Sequence, residues 1–158
     1  MKLLSDASEY ALRAVVWLAQ RPGQAQKVRE IAEGTRSAPG YLIRVLQGLA
    51  RVGILSAARG SNGGFTLERD PATLTVLEVT HAIDPIERIV SCPLGLASHG
   101  TRLCPLHRRI DDAMASIESS FATTTIADLL NEHTLSPPLR DPIMCLPEKS
   151  PETPADTW

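Results

Sequence analysis

Aromatic side chains are scarce in this chain, with two each of Phe, Trp and Tyr in 158 residues. Its core therefore has to be built from Leu, Ile, Val and Ala. Long apolar runs are missing as well: nothing approaches the ~18 consecutive apolar residues that read as a membrane span. The opening Met-Lys-Leu-Leu-Ser-Asp lacks the apolar stretch and cleavage site of a secretory signal, so the expectation is a cytoplasmic protein. Cysteine is limited to Cys92, Cys104 and Cys145. So few, in an odd number, argue against a disulfide framework and make metal binding or redox chemistry the question. A strong net charge is also lacking, at −2, but the charge is unevenly spread. Residues 1–70 hold ten basic side chains against six acidic ones, and the remainder six against twelve. A basic N-terminal half suits a polyanionic partner.

What is present is a sequence of short periodic segments. Ala7, Tyr10, Ala11, Ala14, Val15, Trp17 and Leu18 recur at helical spacing over residues 6–20, which Pro22-Gly23 ends. A second helix fits Val28 to Gly34, with Ile31 and Ala32 inward and Gly34 as C-cap. After the turn Thr35-Arg36-Ser37-Ala38, a third helix starts near Pro39 and runs to about Val52, with Leu42, Val45, Leu46 and Leu49 on one face. Ile54–Ala58 and Phe65–Glu68 read as two strands joined by the glycine-rich Arg59-Gly-Ser-Asn-Gly-Gly64. Leu74–Ile83 is helical in period, Leu106 to about Phe121 is a long helix, and Ile126–Asn131 a short last one. Beyond Ser136 six prolines and few large apolar residues predict a disordered tail.

Helix, short helix, tight turn, helix and glycine-rich hairpin is the order of a winged helix-turn-helix. In such a unit the second helix of the pair enters the major groove and offers its N-terminal residues to base edges. Here those are Tyr41, Arg44 and Gln47. Arg44 lies off the apolar face and is free to pair bidentately with guanine. Arg36 in the turn is placed for a phosphate, which positions without specifying. At the hairpin tip Arg59 suits a narrow minor groove, with Ser61 and Asn62 beside it. The fold class is thus mainly α with a small β-hairpin wing and a long C-terminal helix.

The segment Cys92-Pro-Leu-Gly-Leu-Ala-Ser-His99-Gly-Thr-Arg-Leu-Cys104-Pro-Leu-His107 gathers two thiols and two imidazoles within sixteen residues. These donors suit an iron–sulfur cluster or zinc. A reversible Cys92–Cys104 disulfide is a further reading, and Cys145 in the tail is read as a thiol without a role. An enzyme using Cys and His as nucleophile and base is the rival from another class. No oxyanion site is legible, and the expectation is that the chain is no enzyme.

Tyr10-Ala-Leu-Arg13 in the first helix, Tyr41-Leu42, Arg59-Gly-x-x-Gly-Gly-Phe65, Leu77-x-x-Val-x-x-Ala-Ile83 and Cys92…Cys104-x-x-His107 together resemble the small bacterial winged-helix regulators that include the iron–sulfur regulator IscR and the nitric-oxide-sensitive repressor NsrR. The resemblance runs from Met1 to about Leu130. It implies a homodimer crossing through the helix near 105–121, a palindromic double-stranded DNA site, and a cluster whose state sets DNA affinity. Relatives carry three cysteines in this loop. Here Cys92, Cys104 and His107 match, while Ser98 or His99 stands in place of the middle thiol. His99, or a carboxylate such as Glu9 or Asp6 from the partner's first helix, would complete the ligand set, with 2Fe–2S favoured over 4Fe–4S and zinc the alternative. The domain reading is a winged helix-turn-helix over 1–84, a sensor loop over 85–104, a dimerisation helix and short terminal helix over 105–133, and a tail over 134–158. The functional expectation is a dimeric repressor sensing redox state, nitric oxide or iron.

Overall fold

A computed structural model describes residues 4–60, 63–96, 102–134 and 136–139. Ser61, Asn62, His99 and Cys145 lie outside the described residues. The order of elements is α1 (Asp6–Ala19), α2 (Val28–Thr35), α3 (Pro39–Arg51), β1 (Leu55–Ala58), β2 (Gly64–Leu67), α4 (Val76–His81), α5 (Pro105–Thr123) and α6 (Ile126–Asn131). The fold is mainly helical with one antiparallel hairpin, as the periodicity implies.

The first helix is the hub. Ser5 caps it, its hydroxyl accepting from the Ser8 amide at 3.2 Å, and Ala11, Ala14, Val15 and Leu18 form its buried stripe. Against that stripe pack α2, α3, α4, α6 and β2. The seam is filled by Ile31, Leu42, Leu46, Leu49, Leu74, Val79 and Ile126, all fully buried. Each such aliphatic side chain contributes about 1.5–3 kcal/mol relative to exposure. Phe65 is the one aromatic buried among the described residues, so the aliphatic core expected from the composition is what forms.

Two details correct the local reading. Gly34 is not the cap of α2. The helix continues through Thr35, and the left-handed residue is Arg36 at φ 52°, a conformation costing a non-glycine residue roughly 1 kcal/mol. Gly34 serves packing: a methyl group there would overlap the ring of Trp17 on α1. The wing also has a third member. Gln26, just before α2, exchanges two backbone hydrogen bonds with Phe65 at 2.8 and 2.9 Å. Gly64 is needed where it is because a Cβ there would strike the Gln26 backbone.

The chain returns to its hub through a second backbone bridge, between Thr75 and Thr125. The Val76 amide donates to the Thr124 carbonyl and the Ile126 amide to the Leu74 carbonyl, both at 2.9 Å. This sets the starts of α4 and α6 side by side, each with its own capping box, Thr75 with Glu78 and Thr125 with Asp128. Hydrogen bonds from the Thr75 and Thr125 backbone amides hold Glu78 and Asp128 below the usual carboxylate range. The stability these carboxylates contribute is therefore present above about pH 4 and is lost as pH falls through their lowered values. Urea unfolding should show a fall in stability below pH 4 that Glu78→Gln and Asp128→Asn each make shallower.

The described part of the proline-rich segment, 136–139, packs against the molecule. The Gln20 side-chain amide donates to the Pro138 carbonyl at 3.3 Å, and Leu139 rests on the hydrophobic core.

Candidate nucleic-acid interface and sensor loop

The recognition helix α3 is anchored by Leu42, Val45, Leu46 and Leu49, which leaves Tyr41, Arg44 and Gln47 on its exposed side. Arg36 and Arg59 are exposed as well. Among the described residues Arg36, Arg44, Arg51 and Arg59 form no ion pair, whereas Arg13, Arg29, Arg69 and Arg88 do. The first four, on the turn, α3 and the wing, are thus left available to a ligand. Arg51 escaped the sequence reading. It lies two turns beyond Arg44 and flanks with it a cleft lined by Ala7, Tyr41, Gly48 and Ile83; its signal was the spacing of exposed residues 41, 44 and 51.

The first helix braces this face. The Tyr10 and Tyr41 rings meet edge to face, their centroids 5.7 Å apart. The Arg13 guanidinium lies 6.0 Å from the Tyr10 ring centre and donates to the Thr35 carbonyl at 3.4 Å. It is ion-paired to Glu9. Arg13 thereby connects α1 to the turn of the helix-turn-helix. Glu9, named from sequence as a ligand candidate, is held by Arg13 within its own chain.

Cys104 is the N-cap residue of α5, Pro105 opens the helix, and the Cys104 Sγ lies 3.3 Å from His107 Nδ1. The Cys-x-x-His spacing thus brings its two donors onto one turn. Cys92 is buried, at 8% exposure, and neither Cys92 nor Cys104 is in a disulfide. Among the described residues no three cysteine, histidine or carboxylate side chains converge tightly enough to share an ion. The pair Cys104–His107 fits half of a thiolate–imidazole ligand set. Val90, Leu94, Leu96 and Leu106 around the loop are exposed apolar residues.

No residue of α5 is buried, although it spans 19 residues and presents Ile110, Met114, Ile117 and Phe121 at helical spacing. No helix among the described residues is long and apolar enough to cross a membrane.

Residues 4–132 match the family model described as "Rrf2: Iron-dependent Transcriptional regulator". Among curated proteins, one from Aquifex aeolicus (strain VF5), named "Putative HTH-type transcriptional regulator", is 27% identical over 132 residues, which are 82% of this chain and 92% of that protein. Among solved structures, T. potens IscR superposes with a TM-score of 0.65 at 24% identity, covering 82% of this chain and 86% of its own. The oxidized form of Staphylococcus aureus CymR gives 0.66 at 20% identity, covering 85% and 99%. At these identities the two structures bear on the fold.

Proposed function

Because the chain belongs to the Rrf2 family and is a winged-helix transcription regulator rather than an enzyme, we propose that it binds a palindromic DNA site as a homodimer and represses from it. DNA affinity is set by the state of the Cys92–His107 loop. Arg44 and Gln47 read base edges, Tyr41 packs at the groove, Arg36 takes a phosphate, and Arg59, Ser61 and Asn62 carry the wing to the minor groove. The exposed arginines without ion pairs on the turn, α3 and the wing support this assignment. The apolar stripe of α5, half-buried at Met114, Ile117 and Phe121 and exposed at Ile110, supports pairing with a second copy.

The observation that carries the sensing reading is the Cys104–His107 pair at the head of α5, 3.3 Å apart. Two thiolates with one or two imidazoles suit an iron–sulfur cluster, 2Fe–2S before 4Fe–4S. Cys92, Cys104 and His107 would hold it, with His99 or the partner's Glu9 completing the set. Bound there, a cluster supplies a centre that gains or loses an electron or is dismantled by nitric oxide. The chain's own part is mechanical: a change in what Cys92, Cys104 and His107 hold relaxes the loop, shifts α5, and alters the spacing of the two recognition helices. Because half-sites are read about one helical turn apart, a small change of angle weakens both contacts.

A second reading keeps the DNA binding and replaces the cluster by zinc or a Cys92–Cys104 thiol switch. It rests on the two thiols of Cys92 and Cys104, neither of them in a disulfide, and on the Cys104–His107 pair, which suits zinc as well as a cluster. Anaerobic purification with a visible spectrum and iron, sulfide and zinc analysis separates the two. Matched iron and sulfide with visible absorption are expected. Colourless protein without iron after reconstitution would overturn the cluster, and its zinc content would then decide between zinc and thiol chemistry.

A further inference from the structure

A small charged network ties the loop to the rest of the molecule. Arg88, four residues before Cys92, grips the Asp111 carboxylate on α5 through Nε–Oδ1 and Nη2–Oδ2 hydrogen bonds of 2.6 Å each. The Ile89 amide donates to the same Oδ1 at 3.0 Å. Asp111 lies one turn beyond His107, so these bonds join the incoming leg of the loop to its outgoing leg. Arg88 holds Asp111 below the usual carboxylate range, and Asp111 in turn raises the guanidinium above its own.

The same guanidinium also reaches Glu118, Nη1 to Oε2 at 3.3 Å. The other oxygen of Glu118 faces α4, where His81 Nε2 stands 3.9 Å away. That nitrogen is shut off from solvent and has no hydrogen-bond partner; 3.9 Å is too long for such a bond. Beside His81, Glu78 on its own helix and Arg69 after β2 are paired with each other at 3.0 Å. Glu118 is a carboxylate facing His81 that is not taken up by Arg69.

We propose that Glu118 is a carboxylate shared between the cysteine loop and α4, and that Arg88 is the positioning residue that decides its allegiance. While Arg88 grips Asp111, it keeps Glu118 turned toward its guanidinium. When Arg88 withdraws, Glu118 turns onto the orphaned His81 nitrogen and α5 shifts against α4. Because α4 packs directly on α1, and α1 braces the recognition face, the state of the loop reaches the DNA-reading helix. This inference rests on the loop being the sensor, and it supplies the two-position element that such coupling requires.

The test is a mutant cycle on the full-length protein, with a duplex enriched by the parent from a random-sequence pool as probe and Kd read by fluorescence anisotropy. Cys104→Ser is introduced into the parent, into Arg88→Ala and into Glu118→Gln. It is expected to change the parent's Kd by about tenfold or more, and that of either variant by less than about threefold. If Cys104→Ser acts equally in all three backgrounds, the Glu118 relay is wrong while the sensor reading stands. If it leaves the parent's Kd unchanged, the sensor reading fails and the relay with it. Thermal melts check folding. Should Arg88→Ala not fold, Arg88→Lys, which keeps the charge but loses the bidentate fork, takes its place with the same expected outcome.

Discussion

Gly34→Ala is expected to destabilise the protein by about 1–3 kcal/mol, the usual cost of forcing extra volume into a packed contact. Helix propensity alone argues the reverse, since alanine is about 1 kcal/mol better than glycine inside a helix, and Gly34 lies within α2. The sign is decided by Trp17, whose ring occupies the space a methyl group would need. The ring also carries the Arg21 guanidinium, at 3.3 Å from the ring centre, so its retreat would disturb that contact as well. Urea unfolding of Gly34→Ala checks the sign. Trp17→Leu in the same background should recover part of the loss, and a Gly34→Ala chain as stable as the parent would refute the packing argument. DNA affinity should fall as well, because a displaced α2 carries the turn before the recognition helix with it.

Arg44→Ala should weaken binding to an enriched duplex by about 1–3 kcal/mol, or roughly fivefold to more than a hundredfold, and relax preference at one base in each half-site. That follows from an exposed, unpaired guanidinium near the start of α3. Arg36→Ala should instead weaken all sequences alike and lower the salt dependence, the mark of a phosphate contact. Competition binding against a panel of single-base variants separates the two. If Arg44→Ala leaves the base preferences untouched, Arg44 is not the residue that reads sequence.

Much of the frame was legible because it is local. Leu42, Val45, Leu46 and Leu49 announce α3 by spacing alone, and the run from Arg59 to Gly64 announces the hairpin by its turn formers. Glycine misled at position 34 because it has two uses. It can take a left-handed conformation or it can leave room for a neighbour, and only the neighbour, Trp17, tells which. The left-handed place went to Arg36, which no propensity would nominate. The period from Leu74 to Ile83 overstated α4, although the capping pair Thr75 and Glu78 marked its true start. The third member of the wing was hidden because a single residue, Gln26, has no period to read. At the cysteine loop, Cys104 and His107 were legible as neighbours on one turn. The grip of Arg88 on Asp111 was not, since 23 residues separate them.

The bridge between Thr75 and Thr125 gives α5 the mechanics of a cantilever. Its root, at Thr123, is two residues from a pair of backbone hydrogen bonds into the hub, and its tip, at Pro105, carries Cys104 and His107. A 19-residue helix is about 28 Å long, so a tilt of about 10° at the root displaces the tip by about 5 Å. Run in reverse, a movement of that size at the sulfur atoms becomes about 10° of rotation at the hub, delivered with leverage. Glu118 lies close to the root, where displacements are smallest, so a carboxylate turning between two partners there requires little travel. The length of the arm thus sets how movement at the Cys104 end is exchanged for rotation at Thr123.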